Sequence, residues 1–122
     1  MISVPDLLDE VADEVSLPDG WLQEDLGDYE SLLGPVCAMG GIYRVMLRHG
    51  MMPYRMGGGQ NAYTLPVADY INEHPDEYGE YGSRIPGLRA YSVVGYNNAP
   101  GRTAGEVADL FRTVAKHLRE ET

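Results

Sequence analysis

The chain has 122 residues, 43% of them hydrophobic and 23% charged, which suits one globular domain over residues 1–122 and argues against disorder. Nine basic residues against nineteen acidic ones leave a net charge of −10, and the single cysteine excludes an internal disulfide or a cysteine-rich zinc site. Lacking an apolar run of about 18 residues and opening on an acidic segment, the chain is expected to be cytoplasmic, with no membrane attachment.

The first thirty residues carry ten of the nineteen carboxylates, and no Lys, Arg or His precedes Arg44. Such a segment repels phosphate backbones and releases no counterions on approaching them, so direct nucleic-acid binding is disfavoured. Within it, Leu7, Leu8, Val11, Ala12 and Val15 share one side of a helix whose back is Asp6, Asp9, Glu10, Asp13 and Glu14. Ser3 and Asp6 offer its capping pair, and "LPDG" at 17–20 ends it. "WLQ" at 21–23 and "GPVC" at 34–37 are candidates for a minor β-hairpin.

Residues 36–48, "VCAMGGIYRVMLR", are apolar on nearly every side until Arg44, as befits a central helix buried by its neighbours. Gly40 and Gly41 weaken such a helix, which points to close backbone packing there. A shorter helix is expected over 64–74, with Thr64 as cap, Pro66 in the first turn and Val67, Tyr70 and Ile71 facing inward. "HPDEYGEYGSRIPG" at 74–87 reads as loop. Residues 88–96 fit either a helical turn or a strand, and a short helix is preferred.

The last stretch is the clearest. Val107, Leu110, Phe111, Val114, Ala115 and Leu118 form one helical arc, Thr103 and Glu106 a capping box, and Arg112, Lys116 and Arg119 sit toward the negative end of the dipole. The fold expected is therefore mainly α, a small single-domain arrangement of three to four helices with at most one minor β-hairpin.

Three separated motifs carry a resemblance. Gly20, Trp21 and Gln23; Cys37, Ala38, Gly40 and Gly41; and "YNNAPGRTAGEV" at 96–107 resemble a family of small actinobacterial and actinobacteriophage proteins of unknown function. Its pattern is G-W-x-Q, then C-A-x-G-A, then W-N-D-x-x-x-R-T-x-x-E-V, and the likeness spans roughly residues 20–47 and 88–118. It implies a helical fold and such an origin, with the host cytoplasm as setting if phage-encoded, and no activity. This chain departs from the pattern at Gly41, Tyr96 and Asn98; any chemical role of the family's aspartate is put in doubt by Asn98.

Cys37 at a helix start is the one candidate nucleophile, for a cysteine hydrolase or acyltransferase, with His49, His74 or His117 as base and Asn97 as orienter. No spacing singles out a histidine, and a free cysteine among apolar residues is more often a small core residue. Asn97, Asn98 and Arg102 suit the scaffolding of a turn before the last helix, with a small anion as the less favoured reading. "HGMMPYRMGGGQNAY" at 49–63 is the segment best suited to a partner, through Met51, Met52, Tyr54, Met56 and Tyr63 beside a glycine turn. Nothing in the sequence implies a cofactor, and the histidines and carboxylates lack metal-ligand spacing.

The sequence thus leans away from an enzyme. It favours an acidic accessory protein that binds a protein partner, a second copy of the chain included. An acidic mimic of nucleic acid is the further alternative.

Overall fold

The computed structural model describes residues 1–31, 33–81 and 88–121, and among these there are six helices and no strands. They are α1 (Val4–Ser16), α2 (Ala38–Arg48), α3 (Leu65–Glu73), α4 (Pro75–Tyr78), α5 (Tyr91–Asn98) and α6 (Ala104–Glu120). The count exceeds three to four because two short helices, α4 and α5, join the four longer ones; α4 forms where a loop was expected, Pro75 opening a single turn that Gly79 closes at positive φ. The preferred short helix near 88–96 is present as α5, and residues 82–87 of the expected loop lie outside the described residues.

The stripes of α1 and α6 close on each other, and α1 also packs on α2. Leu7, Leu8, Val11, Ala12 and Val15 are fully buried against Val107, Leu110, Phe111, Val114 and Ala115 of the same core. Arg119 reaches Asp6 and Asp9 at 2.7 Å each, and Arg112 reaches Asp13 at 3.4 Å, so the two helices run antiparallel. These rim pairs are exposed and individually worth about 0–1 kcal/mol, so the buried stripes carry the packing. Both predicted caps are present: Ser3 Oγ accepts the Asp6 N–H, and Thr103 and Glu106 bond reciprocally. Leu110 is 1% exposed, so Leu110→Ala should cost about 2–4 kcal/mol, read as a lower urea midpoint with unchanged slope. A loss below about 0.5 kcal/mol would misplace this helix face.

The glycine pair in α2 answers to close packing. A Cβ on Gly40 would collide with the Leu26 carbonyl, and one on Gly41 would lie 2.9 Å from Val11 Cγ1 of α1. Two differences from expectation lie around α2. Trp21 and Val36 do meet, but as a single parallel bridge, with Gly27 bridging Val36 from the other direction, so no hairpin forms. A hairpin needs antiparallel runs, whereas Trp21 and Val36 pair in the same sense.

Arg44 does not end the buried face but belongs to it, at 3% exposure. Its guanidinium donates to Glu14 Oε1 and to the carbonyls of Asp28, Leu33 and Gly34, tying the loop before α2 to α1 and α2. Thr64 stands at the N-cap position of α3 as expected, but its side chain makes no capping bond. It is already helical, its hydroxyl lies 3.6 Å from Met39 Sδ, and buried Asn61 caps the turn by accepting the Tyr63 and Thr64 N–H groups.

Candidate functional site

The motifs at 20–23, 37–41 and 96–103 meet in one place, at Asn97. This side chain lies in the last turn of α5 with no exposure, and its Oδ1 accepts from Trp21 Nε1 at 2.6 Å and from the Ala38 N–H at 3.0 Å. Its Nδ2 donates to Leu22 O, and Gln23 Nε2 donates in return to the Asn97 and Ala99 carbonyls. One amide therefore joins the start of α2, the end of α5 and the 21–24 segment. Every polar atom of Asn97 is engaged, which leaves it nothing to offer a ligand.

Arg102 is committed in the same way. Its guanidinium carbon sits 3.7 Å from the centroid of the Tyr96 ring, while Nε donates to Tyr96 O at the negative end of α5 and one terminal nitrogen reaches Glu106. The pairing with another helix end that the turn allows is thus the one seen, and no anion cradle forms from Asn97 and Arg102.

Cys37 is the N-cap of α2, its Sγ accepting the Gly40 N–H at 3.4 Å. The thiol is 5% exposed, and burial pushes it up from its ordinary 9.0 even though the Gly40 and Met39 amides pull the other way. The candidate bases hold other partners. His49 Nε2 lies 3.0 Å from Glu10, His74 Nδ1 lies 2.8 Å from Tyr70 O, and His117 Nε2 lies 2.9 Å from Glu121. Near neutral pH, native Cys37 should react with a soluble thiol reagent about tenfold or more slowly than in urea. Faster labelling of the native protein would restore the nucleophile.

The Met/Tyr-rich segment divides. Met51 and Tyr63, expected to face a partner, are core residues: the Met51 N–H closes α2 by donating to Met46 O, and the Tyr63 hydroxyl donates to Ile2 O. Tyr63 is drawn inward because the Asn61 turn precedes α3 there. Met52 and Met56 are half-buried, and Tyr54 is exposed with Arg55 over its ring.

The glycine turn of that segment forms one wall of a groove. Between α2, the 3₁₀ turn Gly58–Gln60 and the start of α5 lies a hollow of about 340 Å³, lined by Leu26, Met39, Tyr43, Gly59, Tyr91 and Val94 among others. Tyr91 is 59% exposed and Leu26 38%, so apolar surface lies open at its mouth. A second hollow of about 220 Å³ adjoins it at Leu26 and Val94 and is bordered by Glu24, Asp25, Cys37 and Asn98. Tyr43, Tyr91, Leu26 and Val94 were not singled out by sequence reasoning. The apolar spacing within 88–96, which fits a helical turn or a strand, is the only signal that marked Tyr91 and Val94, and it marked them as secondary structure.

A family model matches residues 1–117, which takes in every element from α1 to nearly the end of α6. The chain belongs to the DUF6197 family, whose function is unknown. No curated protein and no solved structure matches it.

In this DUF6197 chain, Asn98 uses its side-chain oxygen alone as an acceptor, from the Glu24 N–H at 2.7 Å and from Asn97 Nδ2 at 3.1 Å. A carboxylate accepts equally well in that place. Asn98→Asp should therefore shift stability by less than about 0.5 kcal/mol in urea unfolding, and a loss above about 2 kcal/mol would mean that its amide nitrogen matters. Among the described residues no helix is long and apolar enough to cross a membrane, and no group of His, Cys, Asp and Glu side chains converges as a metal site.

Proposed function

We propose that this chain is a small acidic, non-enzymatic accessory protein that binds another protein through the groove between α2 and α5. Its setting is the cytoplasm of an actinobacterial or phage-infected cell. The groove carries this reading: it is concave, mostly apolar, open at Tyr91 and Leu26, and walled by a glycine turn that admits a backbone closely.

The two alternatives find less support. A cysteine hydrolase or acyltransferase needs a thiolate beside an unengaged base, and Cys37 is buried with its pKa raised while the histidines face Glu10, Tyr70 and Glu121. A nucleic-acid mimic needs a field of unpaired carboxylates, and on α1 the acids Asp6, Asp9, Glu10, Asp13 and Glu14 are matched by Arg119, Arg112, Arg48, His49 and Arg44.

The test is affinity capture from host lysate with wild type, Tyr91→Ser and a variant with α1 charges reversed, followed by measured binding of each captured protein in purified form. Sedimentation beforehand separates self-association from capture. A partner lost with Tyr91→Ser and kept with the α1 variant supports the groove. The reverse pattern moves the interface to α1 and overturns it.

A further inference from the structure

We infer that the segment this groove takes is basic as well as apolar: a stretch of a partner protein that sets a Leu, Met or Phe side chain in the larger hollow and a Lys or Arg over the smaller one. This rests on the groove being the protein-binding site. The charges around it are one-sided. Among the described residues no Lys or Arg lines either hollow, while Glu24 and Asp25 border the second and form no ion pair.

Two cations adjoin the lining in sequence, Arg44 beside Tyr43 and Arg89 beside Ala90, and Arg89 donates to both carboxylate oxygens of Asp69 at 2.9 and 2.7 Å. It is therefore held by its own counter-charge and does not offset the two acids. The Arg residues of α2 are bonded to Glu10 and Glu14, on the side of that helix that faces α1. An acidic border that no described cation offsets, beside an apolar hollow, is complementary to a segment that carries both apolar and cationic side chains. Tyr43 and Tyr91 in the larger hollow add ring faces that a cation tolerates and a carboxylate does not.

Glu24 has a further feature in keeping with this. It holds a left-handed backbone, φ 66°, where Gly or Asn would sit more easily, and only its N–H enters the bonds of the Asn97 network. The site uses that residue's backbone to fix the loop and leaves the carboxylate beside the hollow.

The experiment is selection of a random linear peptide library on the intact protein, with counter-selection on Gly59→Met. A Cβ at Gly59 would lie 3.4 Å from Ala90 Cβ and 3.5 Å from Met39 Cε, ordinary contact distances, so the added side chain fills the hollow without striking backbone. Thermal melting checks that this variant folds, and Tyr91→Ser serves as a second blocking variant should it not. Enriched peptides should be apolar with Lys or Arg and should lose binding to the blocked protein. They should bind about tenfold or more weakly to Glu24→Lys combined with Asp25→Asn, a pair that keeps a side-chain oxygen for the Gly27 N–H that Asp25 accepts now. Neutral or acidic peptides that are lost on blocking would overturn the charge preference and leave the groove as a docking site. Peptides that bind the blocked protein undiminished, or no enrichment at all, would overturn both.

Discussion

Asn97→Ala is expected to lower stability by about 4–5 kcal/mol, because it strips partners from several groups at once. The Ala38 N–H is buried and the Trp21 indole N–H half-buried, and both lose the acceptor they share. Leu22 O loses its donor. A buried group left unsatisfied costs about 1–3 kcal/mol, and the missing amide adds a cavity. Urea unfolding followed by the fluorescence of Trp21, the chain's one tryptophan, measures the loss and reports the freed indole as a red shift. A cost under about 1 kcal/mol would mean that the segment at 21–24 is held by something other than this amide.

A comparable loss, about 4–5 kcal/mol, is expected for Arg44→Ala. The guanidinium serves three loop carbonyls and Glu14, and its removal leaves that carboxylate with Arg48 alone and the carbonyls without their donors. Among the described residues Arg44 Nε is the one buried side-chain nitrogen or oxygen without a hydrogen bond, so the site is costly to build and costlier to break. Burial alone would raise Glu14, but the bonds from Arg48 and Arg44 together outweigh it and hold its carboxyl below the ordinary 4.5. A carboxyl lowered in the folded state contributes stability that is complete above its unfolded value and is lost as pH falls through the folded one. The stability difference between wild type and Glu14→Gln should accordingly be flat above about pH 5 and shrink below it. A difference that grows on acidification would contradict the pairing.

The helices that bury one clean stripe were legible because their pattern is local. Leu7 to Val15 and Val107 to Leu118 repeat at the helical period, and Ser3, Thr103 and Glu106 mark the starts by chemistry that acts over three residues. What the sequence hid is long-range. Asn97 looks like a turn residue beside Pro100, and nothing within ten positions reveals that it answers to Trp21, 76 residues away. Arg44 reads as the polar edge of a helix because its partners at 14, 28, 33 and 34 leave no periodic trace. Met51 and Tyr63 share a composition with exposed Tyr54, and only the Asn61 turn and the end of α2 decide which of them turns inward. The motifs were legible as a set before their reason was: they lie together because one amide binds them.

The pairing of α1 with α6 governs how the chain can be made. The ribosome finishes the first helix long before the last one exists, and at roughly 10 residues per second the wait is on the order of ten seconds. Throughout it α1 carries an apolar stripe whose main cover is still unwritten, so the native core cannot close before α6 has been made. The ten early carboxylates, unmatched until Arg44 is added, then act as a solubilising coat on a nascent segment that would otherwise self-associate. A ribosome stalled anywhere before α6 should hold a chain that proteases digest readily.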